Sequence, residues 1–177
     1  MTANSHISQS IHAARSYLSE HVDKARCRDS AATAVVEDGL RCRVEGPDGA
    51  AIYTDMPAGV GGRSTGPSPA WFTRAGHASC EAALITMRAA ELGIPLQRME
   101  AVVDSESDDR GLLAMDNAVP AGPLSSRIRV RIAAEGVGPQ RLLELVDWAD
   151  HYSPISDLIR RAVPVNIELE SAVGELS

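Results

Sequence analysis

The sequence predicts an α+β fold: an antiparallel sheet, with a long buried central helix. Three observations predict it. Residues 31–55 hold short apolar runs separated by turn residues. Residues 69–92 form one long helical stretch that is apolar nearly all round. Past it, two strand-like segments at 96–107 and 124–134 precede two further helical segments, so strands neighbour strands instead of alternating with helices. The 177 residues suit one domain. It is expected to span 1–177, with a helical extension at 1–30 and a core at 31–170.

The first element is an amphipathic helix over residues 5–25. Ile7, Ile11, Ala14, Leu18 and Val22 recur every three or four positions, which lays them on one stripe. The period then changes. Ala32 to Val36 reads as a strand, and Glu37-Asp38-Gly39 signals a hairpin. Leu40 to Val44 alternates apolar and basic residues, as a half-buried strand does. Gly46-Pro47-Asp48-Gly49 is a second turn, and Ala51 to Thr54 a third strand, which completes a meander. A glycine-rich loop follows at 56–68, with Arg63 as its one charge.

The long helix has a clear start and stop. Ser68 can cap it, and Pro69 suits its first position, where a missing N–H costs nothing. Gly93 supplies a left-handed stop and Pro95 prevents continuation. Its clearly polar residues are Arg74, His77, Glu81, Arg88 and Glu91, and Cys80 lies in its middle. Beyond it, Ile128, Val130 and Ile132 alternate with Arg127, Arg129 and Arg131 in the second late strand. Asp108 to Gly111 reads as a turn. Pro139 opens a helix carrying Leu142, Leu143, Val146 and Ala149 on one face. Ser153-Pro154 interrupts it and recaps a shorter helix. Residues 163–169 read as a closing edge strand, where Pro164 is tolerated.

Composition excludes several function classes. Apolar residues make up 44% and charged residues 23%, an ordinary globular balance. The net charge is −7, with no basic cluster to displace phosphate counterions, so no nucleic-acid partner is expected. Aromatics at 3% leave little surface for stacking bases. No apolar run approaches the roughly 20 residues that span a bilayer, and no signal peptide is read at the start, so no membrane association is expected. Three widely spaced cysteines, Cys27, Cys42 and Cys80, suggest neither a disulfide scaffold nor a zinc knuckle, and the reducing cytoplasm is the expected compartment.

Few chemical motifs survive inspection. The glycine loop lacks the Gly-Lys-Ser/Thr of a phosphate-binding loop, and Gly59-Val60-Gly61 lacks the third glycine of a dinucleotide fingerprint. No Gly-x-Ser-x-Gly elbow is present. The five histidines contain no i,i+4 pair, so no metal site and no cofactor are expected. Cys80 remains, with two readings. A free cysteine often just fills space in a core. A reactive one needs a nearby cation or a helix N-terminus. Cys80 lies about three turns into its helix, too far for the helix end to help, so a side chain would have to do it. Arg63 is the best donor, with Arg26 and Arg28 as others. His77, one turn before Cys80, is a further neighbour.

Two motifs in this order resemble the OsmC/Ohr-type family. The first is Gly66-Pro67-Ser68-Pro69, then Gly76-His77-Ala78-Ser79-Cys80, then Gly93-Ile94-Pro95-Leu96. The second is Ser153-Pro154-Ile155-Ser156-Asp157-Leu158 followed by Val163-Pro164-Val165. The resemblance covers about residues 31–170. It implies an α+β fold whose two subunits interweave into a homodimer sharing its core. It also implies thiol-dependent reduction of organic hydroperoxides in oxidative stress defence. In the family, one cysteine on the central helix attacks the peroxide and a second, at the start of a later short helix, closes a disulfide. An arginine and a glutamate poise the first thiolate.

Carried onto this chain, Cys80 matches the attacking cysteine and Arg63 the poising arginine. Ser153 stands at the second cysteine's position and Ala70 at the glutamate's. The oxidised Cys80 would then be resolved by an external thiol, by Cys27 or Cys42 if either folds nearby, or not at all. Two other readings follow from the missing groups: a non-catalytic dimer that binds a small apolar ligand at the subunit interface, or an interaction protein that uses the helix at 5–25.

Overall fold

The structure, a computed structural model, describes residues 3–170. The chain runs through α1 (Ala3–Glu20), β1 (Thr33–Asp38), β2 (Arg41–Glu45), β3 (Ala51–Thr54), α2 (Pro69–Glu91), β4 (Leu96–Glu106), α3 (Asp109–Leu112), β5 (Ser125–Ala134), α4 (Pro139–Tyr152) and α5 (Pro154–Arg161). The strands form two antiparallel sheets, β1-β2-β3 and the long hairpin β4-β5. The α+β class with antiparallel sheets and a long central helix is as the sequence predicts.

The β4-β5 register explains the alternation in β5. Met99 pairs with Ile132, Ala101 with Val130 and Val103 with Ile128, while Glu100 faces Arg131 and Asp104 faces Arg127. One face is therefore apolar and the other charged. Helices α2 and α4 cover the apolar face. The core gathers there: Ile85 and Ala89 of α2, Ile94, and Leu145 and Ala149 of α4, with Leu96, Met99, Val130 and Ile132 packed against them. On the charged face Arg129 reaches Asp104 at 2.8 Å.

Helix α2 begins and ends where its signals lie. The Ser68 hydroxyl accepts from Trp71 N, and Gly93 turns the chain at φ +67°. Only one stripe of α2 is fully buried in the protomer: His77, Glu81, Ile85, Ala89 and Ala90. Trp71 and Met87, at 46% and 36% exposed, look outward. Helix α1 lies along α2. Arg15 of α1 pairs with Glu91, whose side chain is 4% exposed and also has Arg88 at 3.5 Å.

The loop before α2 is organised by one carboxylate. Asp55, 2% exposed, accepts from the backbone N–H groups of Met56 (2.8 Å), Arg63 (3.2 Å) and Thr65 (3.0 Å), and from the Thr65 hydroxyl (2.8 Å). These bonds, led by the Thr65 backbone N–H, hold its carboxyl below the usual aspartate range. Gly62 is required by close approach, since a Cβ there would sit 1.8 Å from the Met56 carbonyl oxygen.

Three readings need correction. The first helix stops at Glu20 and is followed by a 3-10 turn at Val22–Lys24, short of the expected residue 25. Residues 108–111 are mostly one helical turn, capped by Asp108. The segment 163–169 is not a strand. Val165, Ile167 and Leu169 are 83%, 94% and 89% exposed, and among the described residues no strand pairs with this segment. The β1-β2-β3 sheet is open in the same way: β1 is exposed along its whole length, and Val35, Val36, Ile52 and Tyr53 all face solvent.

Candidate functional site

Cys80 projects from the middle of α2 and is half-buried. The bend between α4 and α5 comes up against it. Ser153 ends α4 and caps α5, and Pro154 at the first position of α5 makes the bend sharp. The Ser153 hydroxyl is fully buried, with its oxygen 3.4 Å from Cys80 Sγ. The same oxygen accepts the backbone N–H of Ser156 at 3.2 Å, as an N-cap does. That leaves the Ser153 proton free to point at the sulfur. The contact joins the middle of α2 to the start of α5.

Behind this pair lies a buried polar group that the sequence reading did not assemble. His77 Nε2 is 2.9 Å from Ser156 Oγ. Ser156 Oγ also lies 3.1 Å from Glu81 Oε1 and 3.0 Å from Asp150 Oδ1. Arg160 closes the outer side on Asp150. His77, Glu81 and Ser156 are 7%, 1% and 2% exposed. Ser156 is therefore sealed from any substrate, so its contact with His77 does not make it a hydrolytic nucleophile. The signal for Glu81 was present in the spacing: 77, 81, 85 and 89 lie four apart, so the histidine and glutamate share the stripe of Ile85 and Ala89.

The other expected site residues are placed as follows. Arg63 lies on the loop before α2, 67% exposed in its side chain, with Nη1 2.7 Å from Asp38 Oδ2. Its guanidinium pairs with Asp38. Ala70 sits in the first turn of α2 and offers only a methyl group. Cys27 is exposed and Cys42, half-buried on β2, has its sulfur 3.9 Å from the Leu40 carbonyl; all three cysteines are free. His77 Nε2 faces Ser156 Oγ. A cleft of about 280 Å³ opens at the start of α2 between Asp55, Ser68, Trp71 and Arg74, but Cys80 does not line it.

Two antiparallel sheets, a long helix carrying a half-buried cysteine and a capped bend beneath it define a recognisable α+β class. Solved structures share the fold. An OsmC-like protein from Mycoplasma pneumoniae matches with a TM-score of 0.65 at 15% identity, covering 76% of this chain and 89% of that one. An organic hydroperoxide resistance protein OsmC, described as a predicted redox protein, from Legionella pneumophila matches at 0.57 and 22%, covering 76% and 91%. An organic hydroperoxide resistance protein from Elizabethkingia anophelis matches at 0.58 and 16%, covering 77% and 91%. No relative among curated proteins matches the chain. The profile of the OsmC-like protein family matches residues 61–168, and the chain belongs to that family.

Proposed function

We propose that this protein reduces organic hydroperoxides through one cysteine, Cys80, with an external thiol as reductant. The observation that most supports this reading is the Ser153 hydroxyl, 3.4 Å from Cys80 Sγ with its proton free to donate. On this reading the Cys80 thiolate attacks one oxygen of the peroxide bond. An S–O bond forms as the O–O bond breaks, the sulfur gives up two electrons, and the leaving alkoxide takes a proton from solvent to become an alcohol. Ser153 stabilises the charged sulfur by donating to it, but cannot resolve the sulfenic acid. An external thiol condenses with that acid and releases water; a second thiol attacks the external sulfur of the mixed disulfide, forming an external disulfide and releasing Cys80 as its thiolate.

The open apolar faces support a homodimer. The β1-β2-β3 sheet, the outer face of α5 (Leu158 53%, Ile159 52% exposed) and the 163–169 segment are what a second copy would cover. Arg63 then serves as the poising cation across the subunit boundary, once its pair with Asp38 opens. The free cysteines suit a reducing compartment such as the cytoplasm.

The test is consumption of cumene hydroperoxide with dithiothreitol, compared with Cys80→Ser. The expected result is turnover in the parent and none above background in the variant. Equal rates would overturn the proposal. A second reading is favoured by one observation: among the described residues, the polar partner of the Cys80 sulfur is a serine and not a cation. On it, the fold is a non-catalytic dimer holding a small apolar ligand, which native mass spectrometry of the purified protein would detect.

A further inference from the structure

Helix α5 is only eight residues long, and its outer face is exposed at Leu158 and Ile159. Its first turn is nonetheless fastened to α2 beside Cys80, and one side chain does the fastening. Ser156 is 2% exposed and stands where α2, α4 and α5 meet. Its Oγ donates to Glu81 Oε1 at 3.1 Å and to Asp150 Oδ1 at 3.0 Å, and lies 2.9 Å from His77 Nε2. His77 and Glu81 bracket Cys80 in the chain, three residues before it and one after. The grip on α2 therefore falls on either side of the sulfur.

The same residue holds Ser153. The Ser156 backbone N–H donates to Ser153 Oγ at 3.2 Å, and that oxygen lies 3.4 Å from Cys80 Sγ. The cap bond alone fixes Ser153 relative to α5 but not relative to α2. The Ser156 side chain supplies the missing constraint. A hydrogen bond weakens steeply as its angle closes, so a small lift of the α5 turn takes the Ser153 proton off the sulfur. A donor held in place by supporting bonds needs no reorganisation when charge appears on its acceptor.

We propose that Ser156 is a positioning residue for Cys80: its side chain clamps α5 onto α2, and its backbone N–H presents the Ser153 hydroxyl to the sulfur. Clamp and cap are separable, because Ser156→Ala keeps the backbone N–H and removes only the side-chain bonds. The consequence for peroxide chemistry rests on the hydroperoxide reading above. The effect on the reactivity of Cys80 toward other electrophiles does not.

The test is the rate at which iodoacetamide alkylates Cys80 in the folded full-length protein at neutral pH, read on the Cys80 peptide by mass spectrometry. Ser153→Ala should slow it about tenfold, the low end for a hydrogen bond to a charged group, and Ser156→Ala by a similar factor. Adding Ser156→Ala to Ser153→Ala should slow it no further, since a residue that acts through Ser153 then has nothing left to position. A general loosening of the fold would not be silent in that background. Asp150→Ala is a second probe, and decides alone should Ser156→Ala not fold: it removes one partner of Ser156 at a side chain that is 37% exposed. It should slow alkylation less than Ser156→Ala and be equally silent with Ser153→Ala. Alkylation at or above the parent's rate in any of these folded single variants overturns the inference. So does a double variant slower than Ser153→Ala. No hydroperoxide enters the experiment, so the expected pattern in a protein without peroxide turnover would sink only the functional reading.

Discussion

Replacing Ser153 by cysteine should close a disulfide to Cys80 and make stability depend on redox state. The present oxygen–sulfur distance is 3.4 Å, so the new sulfur must move in by about 1.4 Å to bond at about 2.05 Å. The two positions are 73 residues apart. Cross-linking a loop of that size removes unfolded-state entropy worth about 4.4 kcal/mol at 25 °C. Against this, Ser153 caps α5, and losing the cap costs about 1 kcal/mol. The oxidised variant should therefore gain about 3 kcal/mol over the parent, and the reduced one should lose about 1 kcal/mol. In a chain of this length each kcal/mol moves Tm by about 2–4 °C, so the oxidised form should melt about 6–12 °C above the parent and the reduced form about 2–4 °C below. Thiol titration and calorimetry with and without reductant read both effects. A variant that keeps every thiol free after oxidation refutes the contact between these two positions.

Further predictions concern stability and assembly. Asp55→Asn should destabilise the loop at neutral pH. Because the folded Asp55 carboxyl sits below the usual aspartate range, its contribution is present above that range and lost as pH falls through the lower folded value, so parent and variant stabilities should converge on acidification; urea midpoints across pH show it. Ile85→Ala, at a fully buried position, should cost about 2–5 kcal/mol by chemical denaturation, and a loss under 1 kcal/mol would contradict the assigned core. Light scattering at micromolar concentration should give twice the 18.8 kDa chain mass, and Val36→Asp on the open sheet should shift it toward the monomer. A monomeric parent would refute the covered-face argument.

Most of the fold was legible because its signals are local. Ser68-Pro69 and Gly93 mark the ends of α2, and the Ile/Arg alternation of β5 is a property of one strand. What stayed hidden depends on partners far along the chain. Segment 163–169 has strand character, but nothing in the protomer pairs with it. By residue type His77 and Glu81 read as polar interruptions of an apolar helix, and only their i,i+4 spacing onto the buried stripe marks them as interior. Their partner Ser156 is more than seventy residues away, at 75 from Glu81. The pairing of Cys80 with Ser153 came from resemblance to a family and not from spacing. Arg63 was placed by a loose loop match, and in the protomer Asp38 holds it.

The central claim is that Cys80 is a working nucleophile, and trapping its first product tests that most directly. After one equivalent of cumene hydroperoxide and a dimedone-type probe, mass spectrometry of the digested protein should find the sulfenic acid adduct on the Cys80 peptide and none at that position in Cys80→Ser. An unmodified Cys80, with peroxide remaining as stable as in the variant, would contradict it.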